Sequence, residues 1–172
     1  MADEKPARTT SQVSAGRPAT DEEFAAFYRT NFKPLTAFVL MHGATLVEAT
    51  DVVQDTMIEA YRSWHRIDHH RAWAHRVASK TFGRRRFATA EDLVADPPEP
   101  APPLCGDIEN WEQQQDLLTA LAVLPPRQQQ VMAWTLSGFR PAEIADELGI
   151  TAEAVRSSLV KARQALSARG DR

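Results

Sequence analysis

Four of the chain's five histidines fall within twelve residues, WHRIDHHRAWAH, at 64–75. Imidazoles this dense could ligate a metal or titrate near neutrality. A two-histidine metal pair on one helix needs i, i+4 spacing and a further ligand in fixed geometry. His65 and His69 have the spacing, but the chain is expected to leave helix between Trp64 and Arg71. Asp68 is the one nearby carboxylate, and Cys105 lies across a proline-rich stretch. No metal and no other cofactor is expected. Three further sets of polar residues have helical spacing. Glu48, Asp51, Asp55 and Glu59 make an acidic stripe at i, i+3, i+7 and i+11, which suits a basic helical partner, with Gln54 and Ile58 beside it. Arg71, Arg76, Lys80, Arg84, Arg85 and Arg86 make a basic run with Trp73 among them, the mixture of cations and aromatics that single-stranded nucleic acid favours. Arg156, Ser157, Val160, Lys161 and Gln164 share the outward face of a C-terminal helix.

Helices must position these sets. Asp21 is read as the N-cap of a first helix through EEFAAFYRTNFKPLTAFVLM, which Pro34 should kink or interrupt. TLVE, 45–48, fits a capping box that opens a second helix to about Trp64, with Val52, Val53, Met57 and Ala60 inward. A third runs from about Arg71 to Phe87, with Trp73, Val77 and Thr81 inward. In the C-terminal half, Leu117, Leu118, Leu121 and Leu124 mark an amphipathic helix, and PPRQQQVMAWTLSG opens another with Pro126 in its first turn and Gly138 at its stop. RPAEIADELG then ends at Gly149, and Thr151 caps a last helix. A short helix, a tight turn and a longer basic helix is the helix-turn-helix arrangement, with Ala145 small at the crossing. Ile144, Leu148, Ile150, Val155, Leu159, Ala162 and Leu166 supply its apolar seam. The outward face then suits the major groove, where Arg or Lys reads guanine edges.

The expected fold is all-α: two small helical domains joined by a flexible, acidic, Pro-rich linker, the C-terminal one holding the helix-turn-helix. The expected boundaries are a disordered tail at 1–20, a first module at 21–88, the linker at 89–109 around PPEPAPP, a second module at 110–169 and a short tail at 170–172. The net charge of −3 argues against nucleic acid, yet its distribution does not. From Tyr61 to Phe87 stand eight Lys or Arg and one acid, whereas Ala88 to Pro126 holds eight acids and no base. One cysteine excludes an internal disulfide framework. No stretch reaches the roughly 18 apolar residues of a membrane helix. The N-terminus lacks the apolar core of a secretory signal, so a soluble cytoplasmic protein is expected.

LPPRQQQVMAWTLSGFRPAEIADELGITAEAVRSSLVKARQAL resembles the fourth conserved region of bacterial sigma factors. ATDVVQDTMIEAYRSW resembles the polymerase-binding helix of the second region, and RAWAHRVASKTFGRRR its promoter-melting helix. Two regions joined by a short connector is the layout of the extracytoplasmic-function (ECF) group. The resemblance implies a non-enzymatic factor that binds core RNA polymerase, at the largest subunit's coiled coil and at the flap, and directs it to promoter DNA. It implies that Asp51, Gln54, Asp55 and Ile58 face the polymerase. It implies that Thr151, Arg156, Ser157, Val160 and Lys161 meet the minus-thirty-five element as duplex. His69, His70, Arg71, Trp73, Arg76, Lys80 and Arg84 would meet the minus-ten element, with the histidines in the loop that takes a flipped base. The sequence departs from the family at Lys80 and Arg84, where Asn and Asp are frequent, and at Ser158 and Val160. An anti-sigma factor is a partner the resemblance allows. The alternative is a stand-alone helix-turn-helix regulator, which explains 126–169 but neither DVVQD nor the basic third helix.

Overall fold

The structure, a computed structural model, describes residues 17–89 and 108–170. The N-terminal tail to residue 16, most of the expected linker with Cys105, and the last two residues lie outside the described part. Every described regular element is a helix: α1 (Arg17–Met41), α2 (Leu46–Ser63), α3 (His70–Thr89), α4 (Ile108–Ala122), α5 (Pro126–Leu136), α6 (Pro141–Leu148) and α7 (Ala152–Gly170). A 3-10 turn, Trp64–Arg66, follows α2.

Local chemistry sets most of the boundaries. The Thr45 hydroxyl accepts from Glu48 N while the Glu48 carboxylate accepts from Thr45 N at 2.7 Å, closing the capping box of α2. Gly138 and Gly149 take φ of +86° and +62°, a backbone region open to glycine at little cost, and they end α5 and α6. Thr151 Oγ1 accepts from Ala154 N at 3.1 Å and caps α7.

Three expectations are corrected. Helix α1 begins at Arg17, so Asp21 is inside it, and the Asp21 carboxylate accepts from the Tyr61 hydroxyl at 2.6 Å instead. Pro34 does not interrupt α1. Proline removes one i−4 hydrogen bond, but the next turn is anchored by the fully buried Leu35 and Phe38, and tertiary burial outweighs that local loss. In α3 the buried residues are Ala74, His75, Ala78 and Phe82, one position on from the expected Trp73, Val77 and Thr81, which are half-buried. Alanine at i and i+4 lets α3 approach α1 and α2 closely, and the bulkier Trp73 and Val77 move to the flank.

Helices α1–α3 form one module and α4–α7 the other, the latter closed by the seam of Ile144, Val155, Leu159 and Ala162. The two modules pack against each other, and their buried residues form one continuous cluster. Phe38 of α1 meets Trp134 of α5 edge to face at 5.2 Å. His75 of α3 meets Phe139, in the turn before α6, at 5.0 Å. Trp134 and Phe139 contact each other at 4.8 Å, so an aromatic block from the C-terminal module fills the space between α1 and α3.

Candidate functional site

Burying Val52, Val53 and Met57 turns the opposite face of α2 outward. Asp51, Gln54 and Asp55 are therefore exposed, and Ile58 keeps half its surface in water. An isoleucine that exposed beside a row of acids fits a partner with a basic, partly apolar surface. Asp55 is already engaged: Arg85 of α3 donates to its Oδ2 at 2.5 Å, with both side chains well exposed. A surface pair of this kind contributes about 0–1 kcal/mol, so a better-placed cation can displace it.

The outward face of α7 is open. Arg156, Ser157, Lys161 and Gln164 are exposed, and Val160 retains 52% of its surface. Thr151 is exposed as well, with its hydroxyl oxygen committed to the cap. Val155, Leu159 and Ala162 seat α7 on α5 and α6, so the face stands on a rigid support.

The basic face of α3 is built differently. Lys80 and Arg84 are exposed. Arg76 makes a two-pronged contact with Glu147 of α6, Nε to Oε2 at 2.5 Å and Nη2 to Oε1 at 2.6 Å. The hydrogen bonds that Arg76 donates to Glu147 raise the Arg76 pKa. Arg71 lies over the Phe139 ring, 4.7 Å from its centre, and donates through Nη2 to the Ser137 carbonyl. Trp73 is half-buried and lines a cleft of about 490 Å³ between α3 and α6, with Arg66, His69 and Arg76 on one wall and Glu143, Asp146 and Glu147 on the other.

The two loop histidines part ways. His70 stacks on Trp64 at 3.8 Å, and its Nε2 donates to the Trp64 carbonyl at 3.1 Å. It is held by the fold. His69 is exposed at the mouth of the cleft, and its carbonyl accepts from Trp73 N at the start of α3. His65 is exposed on the 3-10 turn. His75 is buried inside α3, where Nδ1 donates to the Arg71 carbonyl at 2.8 Å. Desolvation lowers its pKa to about 4, and it lowers that of His42 to about 4 as well. The two imidazoles flank Phe38 at 4.7 and 4.4 Å, both neutral near pH 7. Among the described residues no three His, Cys, Asp or Glu side chains stand together as a metal site, and no helix is long and apolar enough to cross a membrane.

Sequence reasoning singled out neither Glu147 nor the aromatic pair Trp134 and Phe139. A signal for the first was present: Glu143, Asp146 and Glu147 at i, i+3 and i+4 make an acidic edge on α6, opposite in charge to α3.

Comparison with known proteins agrees with this arrangement. The family described as Sigma-70 region 2 matches residues 27–88, and that described as Sigma-70, region 4 matches 114–166, together well over half of the chain. The "ECF RNA polymerase sigma factor SigG" of Mycobacterium tuberculosis, in strains CDC 1551 / Oshkosh and ATCC 25618 / H37Rv, is 29% identical over 188 residues, covering 89% of this chain. The chain spans about half the length of these relatives, 51%. Among solved structures, CnrH in complex with the cytosolic domain of CnrY superposes with a TM-score of 0.66 at 21% identity, covering 90% of this chain and 94% of that one. The sigma factor RpoE of Bartonella quintana, in complex with the anti-sigma factor NepR, gives a TM-score of 0.69 at 21% identity, covering 84% and 94%. At that identity the likeness is one of fold.

Proposed function

Because the chain belongs to the sigma-70 family, in its ECF group, we propose that it binds core RNA polymerase, directs it to specific promoters and helps open the minus-ten element. One observation carries the reading: region 2 and region 4 occur in order in one chain, and the polymerase-facing stripe of the first and the recognition face of the second are both exposed. A stand-alone helix-turn-helix regulator has no use for the first of these.

On this reading Asp51, Gln54, Asp55 and Ile58 dock on the basic coiled coil of the polymerase's largest subunit, with Asp55 exchanging Arg85 for a polymerase cation. Region 4 reaches the flap and lays α7 in the major groove of the minus-thirty-five element. Arg156 and Lys161 supply cations for guanine edges or phosphates, Ser157 and Thr151 hydroxyls, and Val160 an apolar contact for a thymine methyl. Arg71, Trp73, Arg76, Lys80 and Arg84 take the opened minus-ten strand, and His69 reads its flipped base. His70 is the weaker candidate for that base because its ring already stacks on Trp64. Bond-making belongs to the polymerase, and the chain works in the cytoplasm where the polymerase does. In the two solved structures CnrH is bound to the cytosolic domain of CnrY and RpoE to the anti-sigma factor NepR, and the second supports an anti-sigma factor as a further partner here. The test is transcription in vitro with purified core polymerase and promoter fragments. Specific start sites should appear only when this protein is added; absent core binding and no new starts would sink the reading.

A further inference from the structure

A second cavity, of about 520 Å³, lies between α3 and the first turn of α5, and none of the residues that the proposed function uses lines it. Arg86 from α3 and Arg127 from α5 both do. Both are exposed and donate to neutral groups, Arg86 Nη1 to the His42 carbonyl at 3.3 Å and Arg127 Nη1 to Gln130 Oε1 at 3.0 Å. Neither has a carboxylate within ion-pair distance among the described residues. The start of α5 adds to this positive field: Pro125 supplies no side-chain cap, Pro126 has no N–H, and the first turn carries the positive end of the helix dipole. His42, on the cavity wall, adds no charge, since burial lowers its pKa to about 4. Gln129 indicates that something polar belongs inside. It is only 8% exposed, it lines the cavity, and its side-chain amide has no hydrogen-bond partner among the described residues. Leaving a buried amide unpaired is costly, and a ligand oxygen offsets that cost. A Cβ placed on Gly43 would stand 3.4 Å from Arg86 Nη1 and 3.5 Å from Gln129 Nε2, so a guanidinium of one module and an amide of the other converge on one point. The adjoining pocket, beyond Ser79 and Gln130, is lined by Asp146 and Glu147, which repel an anion and leave the Arg86 side for the charged end of a ligand. We propose that this cavity binds a small phosphate monoester, a nucleotide or a sugar phosphate. Its dianion lies between Arg86 and Arg127, one oxygen accepts from the Gln129 amide, and the rest of the molecule lies against Phe82 and Pro126. Because the two arginines belong to different modules, the ligand ties α3 to α5 and stabilises the folded chain.

Titration calorimetry and thermal unfolding of the full chain test the site at constant ionic strength. The probes are inorganic phosphate, ribose phosphate and adenosine monophosphate, with adenosine as the uncharged control. The two monoesters should bind about tenfold more tightly than inorganic phosphate and raise the unfolding temperature, and adenosine should do neither. Tighter binding of adenosine monophosphate than of ribose phosphate makes the ligand a nucleotide; equal binding makes it a sugar phosphate. Arg86→Gln and Arg127→Gln should each weaken the monoesters about tenfold, and Gln129→Leu should weaken them less. Arg29→Gln removes an exposed cation of α1, makes the same change in net charge as either arginine variant, and should leave binding as it is. Unfolding without a probe checks that each variant folds, and Arg127→Gln, at an exposed position in the first turn of α5, carries the test if Arg86→Gln does not. No monoester binding at about 10 mM overturns the site, as does equal weakening by Arg29→Gln and Arg127→Gln. Adenosine binding as tightly as its monophosphate overturns it too. So does single-stranded DNA that binds through the two arginines where the monoesters do not, which makes them backbone contacts. The sigma reading stands in each of these cases, because it uses other residues.

Discussion

Helices α7 and α3 are both basic and both proposed to meet promoter DNA, yet they are presented in opposite ways. Helix α7 buries Val155, Leu159 and Ala162 against its own module and leaves Arg156, Ser157, Val160 and Lys161 in water. Helix α3 spends Arg71 and Arg76 on contacts with the other module and Arg85 on Asp55. Duplex reading needs a rigid helix already shaped for the groove, and nothing is lost by keeping that face open. A strand-binding face is useful only once polymerase can hold the strand apart, and an open basic groove would otherwise gather nucleic acid indiscriminately. The contrast divides the molecule into a face that is ready and a face that is held.

Removing the aromatic block that holds the modules together should have the largest effect. Trp134→Ala empties a fully buried site between Phe38 and Phe139 and should cost about 3–5 kcal/mol in denaturant unfolding. A cost near zero would mean that the modules share no core. Acid should loosen the same interface. His75 has a folded pKa lowered by burial to about 4, so as pH falls the unfolded chain takes up the proton first. Its stabilisation is full above about pH 6.5, drains below that, and is gone near 4. Between about pH 7 and 5 this amounts to roughly 2 kcal/mol, and His75→Phe should flatten that part of the stability profile. An unaltered profile would place the titration elsewhere, His42 being the neighbour with the same shift.

The open face has its own test. Arg156→Ala should lose about 1–3 kcal/mol of binding at one base position of the minus-thirty-five element, measured across a panel of duplexes. A uniform loss over all sequences would make Arg156 a phosphate contact. The smallest effect falls on the acidic stripe. Asp55→Asn should change thermal stability by less than about 1 kcal/mol, because its partner Arg85 is a surface cation, while weakening the pull-down of core polymerase. A large loss of stability with unchanged polymerase binding would turn Asp55 into a structural residue.

The ready face was legible in the amino-acid order because its determinants are local. The glycines at 138 and 149 and the Thr151 cap each act within a few residues. The 3.6-residue period of Val155, Leu159, Ala162 and Leu166 needs no knowledge of the partner helix. The held face was legible only in composition. Its basic run is plain, but which side of α3 is buried depends on small alanines that carry little hydrophobic signal of their own, and the bulkier Trp73 drew the reading one position away. Arg76 and Glu147 are 71 residues apart, and their meeting is decided by how Trp134 and Phe139 dock, which no local pattern encodes. The histidine stretch lies between these cases. Its place between two helices was readable, whereas the parting of His69 from His70 rests on a stack with Trp64 that only the fold reveals.

Promoter opening measured by permanganate reactivity of unpaired thymines tests the central claim most directly. With core polymerase and this protein together, thymines in the minus-ten element should become reactive, and with either component alone they should stay protected. Protection in the complete mixture, or the same reactivity with core polymerase alone, would contradict the account.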